Sequence, residues 1–312
     1  MNFELFPTKD TYGNTLVELG EHNPDIFVVE ADLMKASGSR PFMVKFPDRH
    51  INVGIAEQNL VSVAAGLAVM NRIPFACTFS NFMSQRACDQ VFLGASYNNL
   101  NVKLVGCYSG LSSERNGGTH ASIIDIAIMR SLPNMKVLVP ADLNELKQVI
   151  INTSKDEGPT YIRMSRILPE NIFAGDYKFE IGKPCVLKKG DDVTLISTGL
   201  TTHIALMALE ELEKNGISAE LIHMPTIKPV DPETIIRSAG RTSGIITIEN
   251  HSIYGGLGSL VSEITSSYCP VKVLKIGIND TFGLTADLDF QLKHFGLSVE
   301  NILAKAKELL KV

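Results

Sequence analysis

Short apolar runs alternate along the chain with stretches in which apolar residues recur at helical spacing. The clearest unit lies between Ile51 and Val91, where an apolar run and Gly54 precede a long helical pattern that begins at Glu57. Apolar residues three and four positions apart predict a helix with an apolar face. Strands that alternate with helices in this way favour a parallel sheet covered by helices on both faces. The pattern therefore predicts an α/β fold.

The alternation is interrupted between Leu168 and Asp192, where prolines and glycines are frequent. Domain boundaries tend to fall in such segments, and a chain of 312 residues suits two domains better than one. We predict a first α/β domain over residues 1–175 and a smaller α/β domain over residues 185–312. Both are expected to be built on mainly parallel sheets.

Composition and charge argue against several classes of function. The formal net charge of −5 is spread along the chain without a basic tract, which argues against nucleic acid and anionic membranes as partners. No apolar run reaches the length of a membrane span, and the first residues lack the pattern of a signal peptide. The five cysteines are scattered without a C-x-x-C pair, which fits reduced thiols. We therefore expect a cytoplasmic protein.

Glu57 stands out because a lone carboxylate opens an otherwise apolar helix. The positive end of a helix favours the ionised form of a carboxyl, whereas a dry, apolar site would raise its pKa. Such a carboxylate suits proton chemistry, but an ordinary first-turn glutamate that stabilises the helix would give the same pattern. Phe79 and Phe82 follow three residues apart, either as a core pair or as a platform for a planar ligand.

Other candidate residues lie where predicted strands end. Asp32 and Leu33 follow a buried strand, at the edge where open α/β sheets bind ligands. His120 ends a glycine-rich loop that begins at Asn116, and a histidine there is poised to donate or accept a proton, although a merely solvated histidine would give the same pattern. Arg166 lies just past another strand, where it could bind an anion through its planar fork or form a surface salt bridge.

Two glycine-containing segments imitate nucleotide-binding motifs but lack parts of them. The segment from Gly255 to Gly258 (GGLG) precedes a predicted helix without the full G-x-G-x-x-G spacing, so we interpret its glycines as relief of crowding at a strand-to-helix turn. The segment from Gly190 to Asp192 (GDD) lacks the second glycine of a magnesium- and diphosphate-binding motif, and we interpret it as a surface turn. The sequence therefore predicts no metal site.

Together, and in this order, these segments resemble the carboxyl-terminal half of transketolase. The resemblance covers nearly the whole chain and rests on EADL (Glu30–Leu33), NVGIAEQN (Asn52–Asn59), TFSNF (Thr78–Phe82), RACDQV (Arg86–Val91), GGTH (Gly117–His120), DIAIMRSLPNMKVLVPAD (Asp125–Asp142), GPTYIRMSR (Gly158–Arg166) and, further on, TLISTG, IENHSIYGGLG and FGLS. It implies a pyrimidine-binding domain followed by the transketolase C-terminal domain. The length resembles that of the separately encoded C-terminal subunit of split transketolases, and no segment matches a diphosphate-binding domain.

The resemblance implies thiamine diphosphate as the cofactor and a role for residues near its ring. Glu57 matches the glutamate that faces N1′ of the aminopyrimidine and handles its proton. Phe79 and Phe82 match aromatic residues around that ring, with Phe82 as the stacking face. Asp32 and Leu33 match a segment that lines the cofactor.

The resemblance also implies a substrate side, where several residues depart from the family pattern. His120 matches a histidine that contacts the reacting sugar oxygens, so Glu57 and His120 are the catalytic residues that we expect. Arg166 matches a residue that binds the sugar phosphate. Asn116 stands where the family usually has Asp, and Tyr108 stands where His is common.

Two further departures lie nearer the start of the chain. Ala36 replaces an expected Ser or Thr, and Lys9 is the nearest counterpart of a frequent Arg. Several of these positions normally recognise the phosphate end or the hydroxyls of the sugar. We therefore expect intact cofactor chemistry with altered substrate recognition, and hypothesise a branched, modified or sulfonated sugar as donor or acceptor.

The resemblance finally implies a partner. The chain is expected to share thiamine diphosphate with an N-terminal transketolase subunit, which would hold Mg²⁺ or another divalent cation. An α2β2 heterotetramer with active sites at the subunit interface is the expected assembly. Two alternatives stay open: the β subunit of a 2-oxo acid dehydrogenase, which shares both domains and the glutamate, and a non-catalytic partner subunit.

Overall fold

The computed structural model describes residues 3–173 and 177–312, and the predicted domain end at residue 175 lies outside them. The strands are β1 (Leu5–Pro7), β2 (Ile26–Glu30), β3 (His50–Asn52), β4 (Ile73–Phe79), β5 (Lys103–Cys107), β6 (Lys136–Leu138), β7 (Thr160–Arg163), β8 (Ile167–Pro169), β9 (Cys185–Lys188), β10 (Val193–Ser197), β11 (Ala219–His223), β12 (Thr226–Lys228), β13 (Ile245–Ser252) and β14 (Val273–Ile278). The domain boundary itself stays a prediction.

Helices cover both sheets that these strands form. They are α1 (Thr8–His22), α2 (Met34–Ser37), α3 (Arg40–Lys45), α4 (Glu57–Val69), α5 (Cys88–Gln90), α6 (Asp125–Ser131), α7 (Leu143–Lys155), α8 (Thr201–Lys214), α9 (Glu233–Ala239), α10 (Leu257–Tyr268), α11 (Leu288–His294) and α12 (Val299–Leu310). Phe82–Arg86 and Val91–Tyr97 are π-helical, and Pro47–Arg49 and Leu111–Asn116 form 3₁₀ turns. None of the described helices is long and apolar enough to cross a membrane.

The first half of the chain is built on a seven-stranded sheet in the order β12-β6-β7-β5-β4-β2-β3. Every pairing in it is parallel except that of β12 with β6. Its central strands are buried on both faces, as parallel sheets require. One face packs on α1 and α7 and the other on α4, through residues that alternate along β2, β4 and β5: Val28, Phe75 and Val105 on the first face, Val29, Ala76 and Leu104 on the second.

The second half is built on a five-stranded sheet in the order β14-β13-β10-β11-β9. Its pairings are parallel except that of β9 with β11. The two sheets confirm the predicted pair of mainly parallel α/β architectures. A small antiparallel ribbon of β1 and β8 lies outside both sheets.

A strand of the second half that joins the first sheet, together with buried polar contacts, fixes the two halves against each other. Strand β12 follows β11 in the second half, yet it pairs with β6 at the edge of the first sheet. Arg163 of β7 donates to the carbonyl oxygen of Asn250 at 2.9 Å, and Nε2 of His223 lies 3.0 Å from Oε2 of Glu145. Buried polar groups that satisfy one another across an interface make its geometry specific. The candidate site is therefore built on a rigid frame.

Candidate active site

The predicted site residues are carried by the carboxyl ends of parallel strands, which meet at one edge of the seven-stranded sheet. Asp32 and Leu33 follow β2, and Glu57 opens α4 after β3. Phe79 ends β4, and Tyr108 directly follows β5. The remaining candidates lie on the segments after β4, β5 and β7, namely Phe82, Asn116, His120 and Arg166.

Glu57 is the first residue of α4, and its side chain is only 2% exposed. Its oxygen Oε2 accepts a hydrogen bond of 2.8 Å from Nη1 of Arg86. Arg86 belongs to the RACDQV segment, but the sequence offered no reason to single it out. The structure therefore adds to the site a cation that sequence reasoning missed.

Four of the predicted residues form an aromatic cluster beside this pair. Phe79 lies at its centre, with ring centroids 5.8 Å from Phe82, 5.2 Å from Tyr108 and 5.5 Å from His120. Phe82 and His120 lie 5.0 Å apart. All four contacts are edge-to-face, the arrangement that the ring quadrupoles favour. The rings are partly exposed, so the cluster forms the wall of a site as well as a core contact.

A cavity of about 220 Å³ opens next to Tyr108 and Arg166. The Arg166 guanidinium lies 5.2 Å from the centre of the Tyr108 ring, and its Nη1 donates to Oε2 of Glu114 at 2.5 Å. Lys9 and Ala36 also line the cavity. With Tyr108 and Arg166, they are four residues at positions that the resemblance places on the substrate side. Burial raises the pKa of the Tyr108 phenol, so the ring keeps its proton at neutral pH. Glu114 is a lining residue that sequence reasoning missed.

Backbone strain marks the same region. Asp32, Tyr108 and Glu114 adopt left-handed φ values of 60°, 56° and 51°. This conformation costs a residue with a Cβ roughly 1–2 kcal/mol, and it tends to persist where the surrounding structure imposes it. Asp32 is held by Asn52, whose Nδ2 donates to Oδ1 of Asp32 at 3.2 Å and whose Oδ1 accepts from the Asp32 amide at 3.0 Å.

Not every predicted residue joins these groups. Asn116 is exposed and does not line the cavity beside Arg166. Asp32 is exposed and Leu33 is half-buried. Their roles toward cofactor and substrate stay predictions.

The residues present fit the ring end of thiamine diphosphate. An aminopyrimidine needs a carboxylate opposite N1′ and an aromatic face, and the buried Glu57 and the partly exposed Phe82 offer both. A single guanidinium, that of Arg86, contacts both groups, which shows that one planar cation can reach them together. Within residues 3–173 and 177–312, no group of three or more His, Cys, Asp or Glu side chains is arranged to hold a metal ion.

The segment from Gly255 to Gly258 does not form an anion site. The Glu249 carboxylate accepts hydrogen bonds from the amides of Leu257 and Gly258, at 2.7 and 2.8 Å. A Cβ at Gly256 would collide with that carboxylate. The glycines thus relieve crowding at a strand-to-helix turn, as predicted, and the start of α10 is already filled by the chain's own anion.

Two family descriptions match the chain. The transketolase pyrimidine binding domain matches residues 6–170, and the transketolase C-terminal domain matches residues 182–302. The first match alone spans more than half of the 312 residues.

Individual relatives agree with the family descriptions. The chain is 42% identical over 301 residues to the 6-deoxy-6-sulfo-D-fructose transketolase subunit of Clostridium sp. (strain MSTE9), covering 96% of this chain and 94% of that one. It is 37% identical over 288 residues to an apulose-4-phosphate transketolase subunit of Actinobacillus succinogenes, covering 91% and 92%.

A solved structure described as a split gene transketolase, inactive beta4 tetramer, superimposes with a TM-score of 0.89 at 40% identity, covering 98% of each chain. These likenesses favour transketolase over the β subunit of a 2-oxo acid dehydrogenase. Two matching domain descriptions, the relatives and the shared architecture lead to one conclusion: the chain belongs to the transketolase family.

Proposed function

We propose that this chain is the C-terminal subunit of a thiamine diphosphate-dependent transketolase that moves a two-carbon ketol unit between sugars, at least one of them non-standard. The observation that carries the proposal is the buried carboxylate of Glu57 beside the Phe79–Phe82–His120 cluster. A buried carboxylate that one planar cation reaches together with an aromatic face suits the binding and proton exchange of an aminopyrimidine.

Each residue of the site has a defined task in this proposal. Glu57 holds and moves a proton at N1′ of the ring, and Phe82 supplies the face on which the ring lies. His120, whose Nδ1 lies 3.0 Å from Oγ1 of Thr119, exchanges protons with the reacting sugar oxygens. Asp32 and Leu33 line the cofactor. When bound, thiamine diphosphate supplies the nucleophilic carbon and the electron sink of the reaction.

The substrate end of the proposal rests on the cavity beside Arg166. Its guanidinium can form two parallel hydrogen bonds to a phosphate or a sulfonate, and Lys9 adds a second positive charge. Tyr108 and Ala36 replace groups that the family's pattern would place near the sugar. The names of two relatives include a sulfonated ketose and a branched sugar phosphate. We propose a modified sugar that ends in an anion, with Asn116 at the rim of its site.

The partner end of the proposal rests on the relatives and on an exposed apolar surface. Two relatives of similar length are named as subunits, and the superimposed β4 tetramer is described as inactive. In this chain α4 packs against the Val91–Tyr97 segment, and the exposed apolar side chains there and nearby are Ile55, Val69, Met70, Phe92, Leu93 and Tyr97. Large exposed apolar side chains on two helical segments that pack together make this side of the chain a candidate interaction surface.

We propose that this surface binds an N-terminal subunit in an α2β2 heterotetramer. That subunit would hold the diphosphate and a divalent cation such as Mg²⁺, while Glu57 and Phe82 hold the ring. Light scattering of the mixed subunits should give the mass of two copies of each. Ketol transfer by the isolated chain would contradict the shared site.

Substitution of Glu57 tests the catalytic role. In the reconstituted complex, Glu57→Ala should lower kcat for ketol transfer by roughly 10²- to 10⁴-fold, the usual contribution of a positioned acid–base group. A change of less than about threefold would mean a non-catalytic subunit instead, because proton chemistry could not then depend on Glu57. Ordinary rates with xylulose 5-phosphate and ribose 5-phosphate would refute the non-standard substrate while leaving the catalytic role intact.

A further inference from the structure

We propose that Arg86 is an internal competitor of the cofactor ring: its guanidinium lies where the aminopyrimidine must bind, between Glu57 and Phe82, and has to swing out before the ring can enter. The inference rests on the proposed function, because it assumes that Glu57 and Phe82 receive that ring. It assigns to Arg86 a control over cofactor binding that its place in the sequence does not indicate.

The first observation is the bond to Glu57. Nη1 of Arg86 donates to Oε2 of Glu57 at 2.8 Å, and this is the hydrogen bond that the structure gives the Glu57 carboxylate among the described residues. The protonated N1′ nitrogen of the aminopyrimidine would need the same carboxylate. Both donors approach the same carboxylate, whose 2% exposure leaves little space for the two of them together.

The second observation is the stacking on Phe82. The Arg86 Cζ atom lies 4.0 Å from the centre of the Phe82 ring, the distance of a close cation–π contact. A guanidinium is planar and cationic, and it donates hydrogen bonds in its own plane. A protonated aminopyrimidine shares these three properties. One side chain thus makes both contacts that the ring is proposed to make, and both cannot occupy the same face of Phe82 at once.

The third observation explains how the space can be cleared. Phe82 and Arg86 are the first and last residues of one π-helical segment, so rotation of the Arg86 side chain can take its guanidinium off the Phe82 ring without a change in the backbone. The Arg86 side chain is 48% exposed and can move into solvent, whereas Glu57 is buried and cannot follow. A buried carboxylate that loses its partner is costly unless another donor replaces it. The arriving ring supplies that donor, so exchange of one cation for the other is feasible.

Calorimetric titration of thiamine diphosphate with Mg²⁺ into the complex of this chain with its N-terminal subunit tests the competition. A ligand that binds only the open state loses apparent affinity in proportion to the closed state. Removal of an ion pair whose arginine is half-exposed, together with a cation–π contact, should therefore lower Kd for Arg86→Gln by about 5- to 30-fold. Arg86→Lys keeps the charge but not the planar fork, and its gain in affinity should be smaller.

Arg72 offers a matched control, because it is a half-exposed arginine that pairs with Asp25, away from the site. Arg72→Gln should leave Kd unchanged. Equal or weaker binding by Arg86→Gln would overturn the inference, since Arg86 would then be a bystander or a cofactor ligand. One combination of results separates the two ideas: wild type binds the cofactor, Glu57→Gln does not bind it, and Arg86→Gln has the wild-type Kd. In that case only this inference fails, and the proposed function stands. If the wild-type complex does not bind thiamine diphosphate, the proposed function fails and the inference with it.

Discussion

Two strand-to-helix junctions in this protein place a buried glutamate at the start of a helix, and they use it differently. After β3, Glu57 opens α4, and its carboxylate turns to Arg86 and the aromatic cluster. After β13, α10 begins under Glu249, whose two oxygens accept from the amides of Leu257 and Gly258. Both side chains are buried, at 2% and 0% exposure.

The two carboxylates differ in whether their hydrogen-bond partner can be replaced by a ligand. Both oxygens of Glu249 accept from backbone amides at the start of α10, and burial raises the pKa of this carboxyl to about 7 despite those bonds. Glu57 has a movable, half-exposed side chain as its partner, which a ligand can replace. Burial and a helix start therefore do not by themselves make a carboxylate functional. In our proposal, Glu57 is functional because its partner can be exchanged.

The largest expected effect that tests the comparison is the loss of activity on substitution of Glu57. Glu57→Gln keeps the size of the side chain but removes the acid, so kcat of the reconstituted complex should fall by about 10²- to 10⁴-fold. The free energy of unfolding should change little, because the ion pair it loses is half-exposed and worth roughly 0–1 kcal/mol. Ketol-transfer assays and urea unfolding measure the two quantities. A stable, fully active variant would make Glu57 no more catalytic than Glu249.

Glu249 should show the reverse. Glu249→Gln turns an amide NH₂ toward one of two backbone N–H donors, and leaving such a buried donor without an acceptor costs on the order of 1–3 kcal/mol. Urea unfolding should register this loss, while kcat per folded molecule stays near wild type. A large fall in kcat at unchanged stability would show that the second junction takes part in the chemistry.

Glu30 is another buried glutamate, and it extends the comparison to the pH dependence of stability. It is a buried carboxyl at the end of β2, where Oε1 accepts from Ser37 at 2.6 Å and Oε2 has no hydrogen-bond partner among the described residues. Burial raises its pKa from an ordinary 4.5 to about 7. The folded state therefore binds a proton that the unfolded state releases, and the resulting stability is complete below about pH 4.5 and lost as pH rises through about 7.

Glu30→Gln mimics the protonated acid. At pH 8 the variant should be more stable than wild type by on the order of 2–3 kcal/mol, and near pH 4.5 the two should be alike. Urea unfolding at both pH values measures the difference. The exposed Glu170, changed to Gln, is the matched control and should show no such dependence. A stability gain that is equal at both pH values would contradict the protonation argument.

The smallest expected effect lies in the cavity beside Tyr108. Arg166→Lys keeps one charge but loses the planar fork, so KM for the anionic sugar should rise by about fivefold with kcat little changed. Steady-state kinetics separate the two constants. A fall in kcat at constant KM would instead connect Arg166 with the reacting end of the substrate.

Much of the site followed from the sequence because the residue types and their order carry it. Glu57 at the start of an apolar helix, Phe79 and Phe82 three residues apart, and His120 after two glycines can all be located without coordinates. Strand and helix periodicity is local, so the α/β class and the parallel sheets could also be predicted. What the chain's pattern determined is most of the candidate site, without Arg86 and Glu114, and the edge of the sheet where it lies.

Tertiary structure decided which groups meet. Arg86 stacks on Phe82 within a π-helical segment, and its hydrogen bond to Glu57 joins residues 29 positions apart in the chain. The pairing of β12 with β6 and the meeting of Lys9, Ala36 and Glu114 around one cavity join residues far apart in the chain. Such contacts arise from packing and strand register, which the sum of many long-range interactions fixes. Glu57 and Glu249, both buried beside the start of a helix, likewise differ in partners that only the folded chain brings to them.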